Sequence, residues 1–456
     1  MNIIQTKREK NMTLLRLTWP IFVETLLRML LGNVDTIMLS RYSENAVAAV
    51  GAANQILFMV LTVYSVVATG TTIILSQYLG ANQMEKANKA LVNSLLMNGI
   101  LGLLMSLALI VFSPQLLHLI NLPKELMGYG TDFLRIIGGF SFLQALISVS
   151  SAILRSHGDT RTAMLIALGM NILNVCGNCL VLYGLFGLPV LGVKGVAIST
   201  SVSQAVGAIV ILTVIMKKMK INISIRKMFS FNKEIVSSIL KIGMPSAGEV
   251  FAYQISQLVI TYIITHLGTE ALTTRVITFN IMWFIMISGM SLGQSTQILV
   301  GHKVGAGEND QAYKICLRSL RLGCIIAFAT SILLLLFNRQ FFGLFTDNPN
   351  IINKGVILLA LAVLLEPGRV FNLVIMNSSK AAGDVKFPVI LSMISPWGIA
   401  IPLSYILGIH FGMGLTGIWI AFVTDEWLRG IIMFFRWRSR AWENKSFVKK
   451  EVLNIN

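Results

Sequence analysis

The stretch Leu17–Glu24, LTWPIFVE, returns 225 residues later within Lys241–Glu249, KIGMPSAGE, with Pro20 opposite Pro245 and Glu24 opposite Glu249. The same offset carries Gly80–Ala81 onto Gly305–Ala306, Ala87 onto Ala312, Lys89 onto Lys314 and Ser94–Leu95 onto Ser319–Leu320. It also carries Arg155 onto Lys380 and Gly158–Asp159 onto Gly383–Asp384. One register held over that distance marks an internal duplication.

The chain has 456 residues, of which 55% are hydrophobic and 12% charged. An ordinary soluble domain carries about 25% charged residues. Apolar runs of the roughly 20 residues needed to cross a bilayer recur from end to end. They predict an all-α membrane protein with twelve transmembrane spans, at 13–38, 47–75, 92–113, 132–154, 162–183, 195–216, 238–264, 272–299, 320–337, 355–378, 388–408 and 416–435. A basic linker, Lys217 to about Lys233, separates two six-helix lobes, 1–220 and 221–456. Six spans per half is an even number, so the halves are parallel repeats, an architecture that encloses a central cavity and favours a transporter.

The net charge of +17 does not point to nucleic acid. Loops rich in Lys and Arg alternate with poor ones, which orients a multi-pass protein with both termini in the cytoplasm. The charged first ten residues lead straight into an apolar segment with no small-residue cleavage site, so the first span is expected to stay as an anchor. Cys176, Cys179, Cys316 and Cys324 read as small buried hydrophobes. There is no Walker sequence, no zinc-ligand spacing among the five His and no nucleophile motif, so an enzyme is not expected and an ion gradient must supply the energy. No cofactor is expected beyond a bound proton or sodium ion.

The first span carries Glu24, Arg28 and Asp35, which fall on one helical stripe. An unpaired charge facing lipid costs several kcal/mol, so the stripe faces protein or a water-filled cavity. Glu24 and Arg28, four apart, either pair with one another or line the cavity. Asp35 has no base at helical spacing. In the fifth span Asn171, Asn174 and Asn178 share a face, and with Asp35 they would make an alkali-cation or proton site; interhelical amide bonding is the other reading. Asp35 maps onto Ile260, and the three amides onto Pro396, Ile399 and Leu403, so this cluster is absent from the second half. There, Glu249 has Tyr253 four residues on, Glu366 lies three from Arg369 beside Pro367–Gly368, and Asp425 is four from Arg429. The Gly158–Asp159 and Gly383–Asp384 pairs read as turns.

These motifs, in order and twice repeated, resemble the MATE family of multidrug and toxic compound extrusion transporters. The likeness runs from about Leu14 to Arg436 and includes GNVDTIMLSRYS, SQYLGANQMEKANKA, ILRSHGDTRTAM, NILNVCGNCLVLYG and NSSKAAGDVKFP. It implies alternating access, with export of organic, often cationic, drugs in exchange for sodium or protons from a plasma (inner) membrane protein that works as a monomer. It places the first-span acid on Asp35, the fifth-span amides on Asn174 and Asn178, and the sixth-span hydroxyl on Thr200. Glu24, Arg28, Glu249, Tyr253, Glu366 and Arg369 are the expected cavity residues, with Glu249–Arg369 or Glu366–Arg369 as a pair. A lipid-linked oligosaccharide flippase is the alternative, disfavoured because acids match the few central Arg residues.

Overall fold

The computed structural model describes residues 12–184, 189–219 and 232–448, and not the side chains of Leu31 and Asn33. Among the described residues there is no strand. The helices are α1 Leu14–Ser40, α2 Glu44–Gly80, α3 Met84–Leu119, α4 Met127–Gly139, α5 Ser141–Ser156, α6 Thr160–Tyr183, α7 Gly192–Lys218, α8 Lys233–Thr265, α9 Thr269–Gly305, α10 Asn309–Leu336, α11 Asn338–Gly343, α12 Pro349–Ala381, α13 Lys386–Ser395, α14 Ile401–Tyr405 and α15 Gly414–Arg438. Most of the expected basic linker lies outside the described residues.

Among the described residues, nine helical stretches are long and apolar enough to cross a membrane, and the bent pair made of 124–139 and α5 is a tenth candidate. The remaining two long helices, α1 and α15, carry the ionisable clusters Glu24–Arg28–Asp35 and Asp425–Glu426–Arg429. The span expected at 132–154 is therefore two helices, with a 48° bend at Phe140. The span expected at 388–408 also departs from a plain α-helix. Pro396 and Pro402 remove amide donors, and π turns form at Pro396–Ala400 and Ile406–His410.

The chain divides into two compact units, Met1–Leu75 with Gln83–Gly243, and Ser76–Asn82 with Met244–Asn456. In the first, α1 packs on α6, α6 on α7, and α3 on α4 and α5. In the second, α12 is the central helix and packs against α9, α10 and α15. Small residues bring the helices close: a Cβ on Gly177 would sit 2.2 Å from the Ser199 hydroxyl, so α6 and α7 meet almost backbone to backbone. Of the cysteines, Cys316 is buried as expected. Cys176 is exposed and Cys179 half-buried, because α6 turns that edge outward while its amides face α1 and α7.

Both Gly-Asp pairs are turns, with φ of +82° at Gly158 and +99° at Gly383, and each acid is an electrostatic anchor. Asp159 caps α6 through the Thr162 amide at 3.4 Å and takes the Lys218 ammonium from the end of α7 at 2.5 Å. Asp384 takes Arg436 at 2.6 Å and Lys445 at 2.7 Å. Partial burial pushes the Asp159 carboxyl up, but hydrogen bonds from Lys218 and Thr162 outweigh it and hold the group below the ordinary range. A carboxyl whose folded value is depressed stabilises fully at neutral pH, and its contribution fades as the pH falls below about 4. Asp159→Ala is expected to cost about 1–2 kcal/mol at neutral pH. Asp159→Asn, which keeps the cap and loses the ion pair, is expected to cost less than about 1 kcal/mol. Thermal unfolding in detergent as a function of pH measures both.

Candidate functional site: a buried acid–amide cluster beside a cavity

Asp35 lies in the C-terminal half of α1, where that helix packs on α6. Its Oδ1 accepts the Asn178 amide at 2.6 Å. The same Asn178 Nδ2 donates to Asn174 Oδ1 at 3.2 Å, and Asn174 donates to the Thr200 hydroxyl of α7 at 2.9 Å. Thr200 in turn donates to the Val196 carbonyl at 2.9 Å. The chain of bonds runs from one carboxylate through two amides to a hydroxyl, and the close approach at Gly177 makes it possible. Asn174 is 1% exposed and Asn178 0%, so the amides are out of reach of bulk water. Asn178 Oδ1 is buried without a hydrogen-bond partner among the described residues. A buried orphan acceptor beside a carboxylate suits a cation or a proton donor.

Four of the five expected residues thus come together: Asp35, Asn174, Asn178 and Thr200. Asn171 does not join them. Its amide donates to the Ala167 carbonyl of its own helix at 2.7 Å, satisfied locally one turn back. It lines instead, with Arg28, Asp35, Asn174 and Thr200, a cavity of about 370 Å³ inside the first unit. The rest of the wall is mainly apolar, with Asn54, Tyr64, Ser141, Gln144 and Gln204 as further polar points.

The expected cavity acids are a correction. Glu24 is 1% exposed and lies off the cavity wall, because two guanidiniums hold it. Arg28 donates to it at 3.0 Å, and Arg155 of α5 bonds both its oxygens at 3.2 Å. Glu249 is held the same way by Lys380 at 2.5 Å, and not by Arg369. Each pair joins the first helix of a half to the turn before the Gly-Asp pair, at the same sequence separation of 131 residues. That repeat is the signal by which the sequence could have paired them.

Glu366, 0% exposed, pairs with Arg369 at 2.5 Å, as one of the two sequence expectations had it. It lines neither the cavity of about 370 Å³ nor the small space beside Arg369. Arg369 also faces Glu426 at 3.7 Å, while Arg429 bonds Asp425 at 3.1 Å and Glu426 at 2.9 Å. Asn372 donates to Glu426 at 2.7 Å, and Ser395 donates to Asp425. Arg275, one layer away, is held by Thr261 and by Gln257 at 3.0 Å and stacks over Phe279 at 5.4 Å. With Tyr253, Gln257 and Phe279, Arg369 and the two acids of α15 line a space of about 20 Å³, the size of one water. Each of the three acids has an arginine within 4.0 Å, while Arg275 is held by neutral groups and Glu366 Oε2 is buried without a hydrogen-bond partner among the described residues. In the first unit no Lys, Arg or His within 4.0 Å pairs with Asp35 among the described residues.

A multi-pass helical bundle with a lone acid–amide cluster beside an apolar cavity is the build of a membrane transporter. The MatE family model matches residues 20–180 and 245–406, and the chain belongs to that family of multidrug efflux transporters. It is 48% identical over 437 residues, 96% of each chain, to the "Uncharacterized transporter YisQ" of Bacillus subtilis (strain 168). It is 27% identical to the "Probable multidrug resistance protein NorM" of Thermotoga maritima, over 96% of this chain and 94% of that one. Its fold matches a solved MATE in the bent conformation with a TM-score of 0.87 at 22% identity, over 97% of each chain. The fold is thus the twelve-helix, two-lobe one.

The repeated pairs give a test. Arg155→Met leaves the buried Glu24 with Arg28 alone and is expected to destabilise the protein by about 2–4 kcal/mol. Arg155→Lys, the residue that serves at position 380, is expected to recover most of that in denaturant unfolding.

Proposed function

We propose that this protein is a cation-coupled antiporter that exports organic compounds bearing a positive charge, by alternating access, across the plasma (inner) membrane. The observation that carries the reading is the asymmetry between the two polar interiors: Glu366, Asp425 and Glu426 in the second unit each have an arginine, while Asp35 has only an amide for a partner. A carboxylate in that state takes up a proton or a sodium ion, which is transported cargo. Asn178 Oδ1 is available as a second oxygen ligand, and Asn174 and Thr200 hold Asn178 in place. The rich and poor loops support cytoplasmic termini.

The cavity suits the substrate half of the exchange. Its wall is largely apolar with a few fixed polar points, the usual make-up of a site for drug-sized molecules. Asp35 lines it, so the coupling ion and a cationic substrate compete for one carboxylate. Competition of that kind couples two opposite fluxes without a long-range signal. The flippase reading has a single guanidinium on this wall, Arg28, where a pyrophosphate calls for several.

Proteoliposomes loaded with a fluorescent cationic dye test the proposal under separate sodium and proton gradients. Wild type is expected to drive efflux under one gradient and thereby name the ion. Asp35→Asn is expected to cut coupled efflux at least about tenfold, the effect of removing about 1.4 kcal/mol of coupling free energy. Undiminished efflux in Asp35→Asn counts against Asp35, and an immobile dye under both gradients counts against antiport.

A further inference from the structure

The proposed exchange makes Asp35 the negative point of the cavity, and the same wall carries a positive one. Arg28 and Asp35 are the only formally charged side chains on it among the described residues. They are seven apart on α1, which places them on nearly the same helical face about 10 Å apart along the axis.

The charge at Arg28 is not cancelled by its neighbour. Glu24 is shared between two guanidiniums, so the group of Glu24, Arg28 and Arg155 carries one surplus positive charge. Its members differ in exposure: the side chain of Glu24 is 1% exposed, that of Arg155 18% and that of Arg28 40%. The surplus therefore surfaces at Arg28, on the cavity side. Arg28 gives one Nη2–H to Glu24. A guanidinium has five N–H donors in a flat fork, which suits a carboxylate. Glu24, already held by Arg155, keeps the root of that fork in position.

We infer that Arg28 is an anion subsite of the substrate cavity, and that the preferred substrates are zwitterions. The positive group of such a molecule faces Asp35, its carboxylate or similar anion faces Arg28, and its apolar body fills the space between them. The inference rests on the proposed role of the cavity. It narrows the expected organic cations to molecules that also carry an anionic group.

Rhodamine 110, which has a free carboxyl group, and rhodamine 123, its methyl ester, share one cationic ring system and differ at the group that Arg28 would read. Dissociation constants for both, by fluorescence anisotropy on the purified full-length protein at neutral pH, give the ratio that matters. Wild type is expected to bind the free acid about tenfold more tightly than the ester. Arg28→Gln is expected to bring that ratio close to one, and Arg28→Lys, which keeps the charge without the fork, to leave it in between. A wild-type ratio of one or below, or a ratio that Arg28→Gln leaves unchanged, overturns the subsite while the cavity reading stands. Failure of both dyes to bind overturns the cavity reading and the subsite with it.

Discussion

The structure is governed by the cost of ionised groups inside helices that face hydrocarbon. Each buried charge needs a partner, and the partner fixes where two helices meet. Glu24 needs Arg155, so α1 is pinned to α5. Glu249 needs Lys380, so α8 is pinned to α12. Asp425, Glu426 and Glu366 need Arg369 and Arg429, so α12 is tied to α15. Breaking one of these pairs strands a charge and is much worse than never having made it. Such pairs act as register pins in a bundle whose lipid-facing residues specify little, since lipid tails are as apolar as Leu and drive no helix association.

Hydropathy and the repeat made most of this legible. Apolar length located every long helix, because spanning a bilayer leaves few alternatives to a helix, but several run well past the apolar span, as α10 does by starting at Asn309 and not at 320. The cluster of Asp35, Asn174, Asn178 and Thr200 was visible as residues, and its order of bonding was not. Amide spacing shows which side chains share a face, but Asn171 shares that face and bonds its own backbone. Whether an amide reaches across or back depends on the interhelical gap, which Gly177 closes at one level only. The distant partners of two acids were missed for a related reason. Spacing within a helix reveals partners three or four residues away, such as Arg28 for Glu24 and Arg369 for Glu366, whereas Arg155 and Lys380 lie 131 residues on from Glu24 and Glu249. The bend at Phe140 left only the pair Gly138–Gly139 as a local trace, and the π turns only Pro396 and Pro402.

The duplication sorts these features. What both halves keep is mechanical: the Pro within the first helix, the acid one turn later, its basic partner and the anchored Gly-Asp turn. What they do not keep is the interior. One half fills its polar centre with acids and arginines around the volume of one water; the other leaves about 370 Å³ and a carboxylate without a base. Two copies of one frame have thus diverged in their polar interiors and stayed alike where the frame is held.

That divergence bears on how an ion could drive export. An ion biases a two-state transporter only by as much as its affinity differs between the states. A carboxylate already neutralised by arginine gains little from a proton or sodium ion in either state, so the second unit's cluster is poorly suited to the task. Asp35 gains in full, and its partner Asn178 is fixed from behind by Asn174 and Thr200. Loading Asp35 changes what Asn178 faces, and Asn178 and Asn174 pass that change into the packing of α6 on α7. The same carboxylate lies on the cavity wall, so in the proposed exchange ion and substrate would each raise the cost of the other's presence. Reciprocity follows from thermodynamics: whatever factor the ion takes from substrate affinity, the substrate takes from the ion. A single shared group can therefore enforce exchange, and a second charged lobe would add stability to the frame without adding to the coupling.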